Sequence, residues 1–326
     1  MRAAFGAVAV ALALALVWGT KEASSALPAD VVSPAVRDGF TLAFSVLIES
    51  IPFIILGIAL SVLVQVWIPE QWLFRILPKR PLPRRLVISL LGMFLPVCEC
   101  GNVPLARGLV AKGYTVSDSM TFLLAAPIIN PVTIITTHQA FGWDDGILVV
   151  RILGAIVIAN LLGWLFSRHP DPLSLLTPTF AAQCEATPRG ISSGKMWRSA
   201  DMFVREASIL MPALIVGSLV AGAIQVVVSR DQLVALGSDP LLSVVAMMAL
   251  AFVISICANV DSFFILPFAD TFLPGSLIAF LLLGPIVDMK MLALLRTTYR
   301  SATLLRLTVL VVALTAAIGM GVNLFV

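Results

Sequence analysis

"FLPVCECGNVPLARG" (Phe94–Gly108) interrupts an apolar stretch with two thiols and a carboxylate: Cys98, Glu99 and Cys100. A helical membrane span needs about 20 consecutive apolar residues, and each arm beside "CECGNVP", in the segment 86–113, is only about a dozen long. The pattern predicts a broken helix or a re-entrant hairpin. A second apolar segment, 241–268, is broken in the same way at "CANVD" (Cys257–Asp261). These two breaks decide how the remainder of the chain is read.

The composition sets the solvent. Of 326 residues, 60% are hydrophobic and 12% charged, with a mean hydropathy of +1.04; soluble domains carry about a quarter charged residues. This is a multi-pass membrane protein whose surface partner is the lipid bilayer. The net charge of +3 is small and sits in loops, so it reports orientation and implies no nucleic-acid partner. No GxxxxGK[ST] phosphate loop is present, so ATP hydrolysis is not expected of this chain, nor is a cofactor or resident metal.

Apolar segments lie at 3–19, 39–68, 86–113, 119–137, 147–167, 206–228, 241–268, 274–295 and 304–325. The first could pass for a signal peptide cleaved near Ala26, but a retained helix is the favoured reading. The other eight form two similar sets. "IPFIILG" (Pro52, Gly57) matches "MPALIVG" (Pro212, Gly217), "CGNV" matches "CANV", and "APIIN" (Pro127, Asn130) matches "GPIVD" (Pro285, Asp288). The matches keep one order at nearly one offset, 160, 157 and 158 residues, which predicts an internal duplication of the kind that builds many secondary transporters. The predicted organisation is an N-terminal helix and outer loop (1–38), repeat 1 (39–167), a cytoplasmic linker (168–205) and repeat 2 (206–326).

Positive charge orients the repeats. The loop 69–85 holds Arg75, Lys79, Arg80, Arg84 and Arg85, and the loop 168–205 holds Arg168, Arg189, Lys195, Arg198 and Arg205; both read as cytoplasmic. Three segments lie between them, so one of the three must fail to cross, and the broken segment 86–113 is the candidate. The same treatment of 241–268 makes it enter from the outer face, where only Lys21, Arg37 and Arg230 lie in loops. The expected fold is an all-α polytopic membrane protein with two inverted repeats, each of three spans plus a broken or re-entrant helical hairpin, and an extra N-terminal helix. Nine plain spans with a broken helix in each half is the alternative.

Broken backbone at membrane depth is tolerated only inside protein or beside a water-filled cavity, so both breaks are expected to meet at a central chamber. Asn102 and Asn259 are candidate N-caps of the half-helices that follow, with Pro104 in an early helical position. Such helix starts favour the thiolate of Cys100 and Cys257, the form that binds soft metals and metalloids. Alone, a buried Cys is a small hydrophobe; here Cys98 and Cys100 flank Glu99 at a break whose counterpart holds Cys257. Cys184, in a polar loop, is read as incidental. Ionisable residues within membrane segments usually mark a pathway, and Glu99 and Asp261 are the candidates for proton coupling. Asn130 and Asp288 are expected to line the chamber, interhelical hydrogen bonding being their bland alternative. Asp288 and Lys290 could simply compensate each other, and Glu49, Arg151 and Glu206 complete the set of intramembrane charges.

At "PVCECGNVPLARGLVAKG", "AAPIINPVTIITT" and "GPIVDMKM" the sequence resembles the bacterial ArsP-type predicted permease family, from about residue 40 to the end. The resemblance implies a permease, not an enzyme, of the bacterial plasma membrane. It implies export from the cytoplasm of a small metalloid solute such as a trivalent organoarsenical, with Cys98, Cys100 and Cys257 as arsenic ligands. Proton antiport by alternating access is the simplest coupling, and a homo-oligomer is compatible with it. Two other classes compete: a membrane thiol oxidoreductase using Cys98 and Cys100, against which stands the lack of a CxxC pair, and a membrane subunit or channel of a larger complex.

Overall fold

The computed structural model describes residues 34–69, 77–95, 97–143, 145–185, 194–227 and 240–325. The predicted helix at 3–19 lies outside them, as do Lys21, Ala26, Arg75, Arg189 and Arg230. The described residues are helical and irregular, with no strand; a lone antiparallel bridge joins Leu176 to Tyr299.

In chain order the helices are α1 (Pro34–Trp67), α2 (Pro81–Ser89, continued as a 3-10 turn Leu90–Phe94), α3 (Glu99–Ala111), α4 (Val116–Ala125), α5 (Pro131–Phe141), α6 (Ile147–Ser167), α7 (Pro178–Glu185), α8 (Lys195–Val227), α9 (Pro240–Ile254), α10 (Asp261–Ile265), α11 (Pro274–Ile286), α12 (Met289–Leu295) and α13 (Ser301–Phe325). Five described stretches are long and apolar enough to cross a bilayer: Val36–Trp67, Ile147–Ser167, Lys195–Val226, Pro274–Leu295 and Ser301–Phe325.

Both breaks fall in the expected segments, α2/α3 and α9/α10. Two further breaks lie in segments that the sequence reads as continuous spans. The segment 119–137, read as one span, opens between α4 and α5, and 274–295 opens between α11 and α12. The reason is local. Asn130 precedes Pro131, which disfavours the helical region for it, and it adopts φ −118°, ψ 135°. Its side chain then accepts from Val132 N at 2.9 Å and caps α5. Asp288 does the equivalent for α12, accepting from Met291 N at 2.6 Å.

The ends of the broken segments meet pairwise. Arg84 at the start of α2 pairs with Asp118 at 2.5 Å and lies over the Tyr114 ring, just beyond the end of α3. On the same face Lys112 donates to Ile68 O at 2.9 Å, and Trp67 Nε1 donates to Ser199 at 3.2 Å. Ser243 near the start of α9 meets Ser276 near the start of α11 at 2.8 Å, and Gly275 N donates to Asn323 Oδ1 at the far end of α13.

The long helices α1 and α8 run antiparallel, Gly39 against Gly222 at one end and Trp67 beside Lys195 and Ser199 at the other. The two repeated glycines have a shared task. A Cβ on Gly57 would collide with the Gly101 backbone in the first turn of α3, and a Cβ on Gly217 would lie 3.0 Å from Lys290 Cα in the first turn of α12. Each long helix is thereby brought against a half-helix that starts at a break. Across the halves, α3 packs on α12 and α5 on α10.

Candidate functional site

α3 begins earlier than its sequence suggests. Cys98 occupies the N-cap position with extended backbone (φ −72°, ψ 175°), and Glu99 and Cys100 lie in the first turn. Asn102 is therefore inside the helix and is not its cap, while Pro104 stands five residues past the start. Pro104 has no N–H, so the Cys100 carbonyl receives no helical bond from it. In the second break, residues 255–257 are irregular, 258–260 form a turn, and Val260 holds the N-cap position of α10. Asn259 accepts instead from Thr133 Oγ1 at 3.3 Å. Neither asparagine caps its helix, because the chain turns into α3 four residues before Asn102 and into α10 one residue after Asn259.

The two breaks meet. Cys98 Sγ, a Glu99 carboxylate oxygen and Cys257 Sγ all lie within 4.8 Å of one another, and all three residues are buried. The Cys98 thiol also adjoins that of Cys100. Cys257 Sγ donates to Glu99 Oε2 at 3.4 Å, and Ala258 N is 3.5 Å from the same oxygen. No disulfide joins any of the four cysteines.

Lys290 completes the cluster. Its Nζ is 2.8 Å from Glu99 Oε1, 3.8 Å from Asp288 Oδ2 and 3.1 Å from the Ser255 carbonyl. Glu99 and Lys290 are 0% and 1% exposed, so the pair is dry, and its Coulombic attraction is correspondingly strong. The expected Asp288–Lys290 compensation is thus the longer of two contacts. Ser255, which stands where the first repeat has Cys98, is the sole non-glycine residue among those described with positive φ, at 52°. Such backbone is costly and persists where neighbours hold it; the Lys290 bond to its carbonyl is one such hold.

The remaining sequence candidates divide. Asn130 donates to the Val97 carbonyl at 2.7 Å and so ties the first break to α5. Asn102 is 1% exposed, and neither of its side-chain polar atoms has a hydrogen-bond partner among the described residues. It lies one turn beyond Cys98 and Glu99 on the same helix face. Asp261 is engaged away from the thiols, in a two-pronged pair with Arg151: Nη1 to Oδ1 at 3.0 Å and Nη2 to Oδ2 at 2.5 Å. The same guanidinium donates to Thr137 and Ser262 at 2.7 and 2.8 Å.

Arg107, inside the first broken segment, is not among the sequence candidates. It is 1% exposed and donates through Nε to Glu206 Oε2 at 2.8 Å. It also reaches Thr297 O at 3.0 Å and lies over the Phe180 ring at 4.1 Å. Beside it a polar cavity of about 390 Å³ is lined by Gln65, Lys112, Gln183, Arg198 and Glu206 among others. In the linker helix α7, burial raises the Cys184 thiol pKa to about 11.

Residues 36–324 match the family described as predicted permease, ArsP_1. Among curated proteins, the chain is 34% identical over 273 residues to the UPF0718 protein YcgR of Bacillus subtilis, covering 84% of this chain and 92% of the relative. It is 32% identical over 262 residues, covering 80% and 87%, to a Streptococcus mutans protein named putative two-component membrane permease complex subunit. A shorter match, 27% identical over 114 residues and covering 35% and 32%, is to the UPF0718 protein YraQ of Escherichia coli. No solved structure matches. A chain whose paired breaks and intramembrane charges lie within a match of this extent belongs to the ArsP-type predicted permease family.

Proposed function

We propose that this chain is a secondary permease of the bacterial plasma membrane that exports a small thiophilic solute, a trivalent organoarsenical, by alternating access. The observation that carries the reading is the buried group of Cys98, Glu99 and Cys257, contributed by both breaks, with ligand atoms within 4.8 Å. Soft trivalent arsenic prefers thiolate ligands. Each thiol that binds arsenic displaces a hydroxyl group. Glu99, hydrogen-bonded to Cys257, accepts the thiol proton and passes it to the departing hydroxide, which leaves as water. Cys100 is a further thiol at hand, and the unpartnered Asn102 amide, with Asn130, Asn259 and Asp288, supplies polar lining.

The topology we infer is two inverted repeats. The first broken segment has both ends at the face of Trp67 and Lys112, through the Arg84–Asp118 pair, and the second has both ends at the face of Asn323, near the Ser243–Ser276 contact. These contacts support re-entrant hairpins that enter from opposite sides, the architecture in which a central site is exposed alternately. Proton coupling falls to Glu99 and Asp261, and Asp261 would take part only when its pair with Arg151 opens.

The test replaces Cys98, Cys100 and Cys257 by Ser singly and measures methylarsenite resistance in a sensitive host. Loss of protection is expected for Cys98 and Cys257 in particular; unchanged protection in all three removes the ligand role. For coupling, flux is driven by an imposed pH gradient in Glu99→Gln and Asp261→Asn vesicles, and undiminished flux in both removes the proton role. A second reading, membrane subunit of a two-part complex, is favoured by the printed name of the Streptococcus relative. Transport by the purified chain alone decides against it.

A further inference from the structure

Among the described residues three buried ion pairs link the two halves of the chain, and each takes one charge from each half: Arg107–Glu206, Glu99–Lys290 and Arg151–Asp261. They are stacked through the molecule. Glu99 and Lys290 sit at the breaks. Arg107 lies eight residues along α3, or about 12 Å by helical rise, toward the face of Lys112. Arg151 lies one turn into α6 at its other end, away from Ser167, and holds Thr137, which is seven residues or about 10 Å along α5 from the break at Asn130.

The outer two pairs have matched construction. Each half-helix that begins at a cysteine break carries one partner, Arg107 on α3 and Asp261 on α10, and the other partner stands on a long helix of the opposite half. Each is backed by hydroxyl or carbonyl groups, Thr297 and Thr298 at one level and Thr137 and Ser262 at the other. Between them Cys98, Cys100 and Cys257 are 2%, 0% and 2% exposed. An ion pair that must separate for the halves to part is a two-state element, and two of them flanking a sealed site divide access between faces.

We propose that Arg107–Glu206 and Arg151–Asp261 are the two gates of the permease, positioning pairs that close the thiol chamber from the Lys112 face and from the Asn323 face respectively. The assignment rests on the alternating-access reading above. The polar cavity beside Arg107 is then the vestibule in front of the first gate.

The experiment uses the full chain with Cys184→Ser, so that the remaining thiols all lie at the breaks, in right-side-out and inverted vesicles treated with a membrane-impermeant maleimide. Doubly neutral variants, Arg107→Gln with Glu206→Gln and Arg151→Gln with Asp261→Asn, remove a pair without leaving either charge alone. Each is expected to speed labelling about tenfold from one face only, opposite faces for the two variants. Unchanged labelling in both, or acceleration from both faces in either, overturns the proposal. Should a neutral variant fail to accumulate, the charge-swapped protein, Arg107→Glu with Glu206→Arg or Arg151→Asp with Asp261→Arg, must label as slowly as the parent; fast labelling there overturns the assignment too. Labelling needs no substrate, so a failed resistance assay removes the arsenical and leaves the gates standing. Lost transport with unaltered labelling removes the gates instead.

Discussion

Lys290 is the residue on which the centre of the molecule turns, since it holds Glu99 and Asp288 together. It is buried between Glu99 at 2.8 Å and Asp288 at 3.8 Å, so removing its charge strands two carboxylates in a low-dielectric site, at a cost of about 3–5 kcal/mol. Lys290→Met should therefore lower the thermal midpoint in detergent far more than Glu99→Gln, which leaves Lys290 paired with Asp288. Equal losses would mean that the pair is not what the burial implies. In the linker, Cys184 titrates above its ordinary value of 9.0, near 11, because burial disfavours the thiolate. The sign follows: stability associated with this thiol is complete below about pH 9 and declines as pH rises toward 11. Alkylation of Cys184 in the native protein, with the three break cysteines replaced, should reach half its maximal rate near pH 11; a midpoint near 9 would show an ordinary thiol.

At the scale of elements, close helix contacts set where the half-helices begin. Gly57 lies against Gly101 with no room for a methyl group. Gly57→Ala must push α1 away from α3 and should cost about 1–3 kcal/mol, the usual range for overpacking. Thermal unfolding in detergent reads it, and an unchanged midpoint would show that α3 can shift freely. The caps are a second device: Asn130 and Asp288 satisfy amide groups at the starts of α5 and α12, and Asn130→Ala should cost about 1 kcal/mol from the cap, with a further loss from its bond to Val97.

For the whole molecule, the arrangement of ends makes a topology statement that vesicle labelling checks. Cysteines introduced at Lys79 and Gly113, which flank the first broken segment, should react with an impermeant reagent from one face, and cysteines at Leu241 and Asp270, which flank most of the second, from the other. Labelling of all four from one side would remove the inverted arrangement. The sealed thiol site, the two flanking pairs and the vestibule beside Arg107 are properties of this whole and of no single repeat, since Arg107–Glu206, Arg151–Asp261 and Glu99–Lys290 each take their partners from different halves.

Much of this was legible in the order of residues. Apolar runs of span length, the two interrupted segments and the repeated Pro–Gly, Cys–Asn–Val and Pro–Asn/Asp matches are periodic, local features, and local features survive in a linear text. The cysteine breaks fall where their arms are too short to cross, and the thiols with Glu99 stand out there in the sequence itself. What stayed hidden was pairing at a distance. Nothing along the chain tells Glu99 to seek Lys290 instead of leaving that cation to Asp288, sends Arg107 to Glu206, or turns Asp261 toward Arg151, because partners 191, 99 and 110 residues apart are chosen by packing. Cap positions also shifted, from Asn102 to Cys98, since a helix start depends on where the incoming chain is held as well as on which residue would cap best. A buried charge in a membrane must find its opposite, and the sequence alone determines that need; only the tertiary structure, by bringing two helix starts from separate halves to one point, decides which opposite it finds.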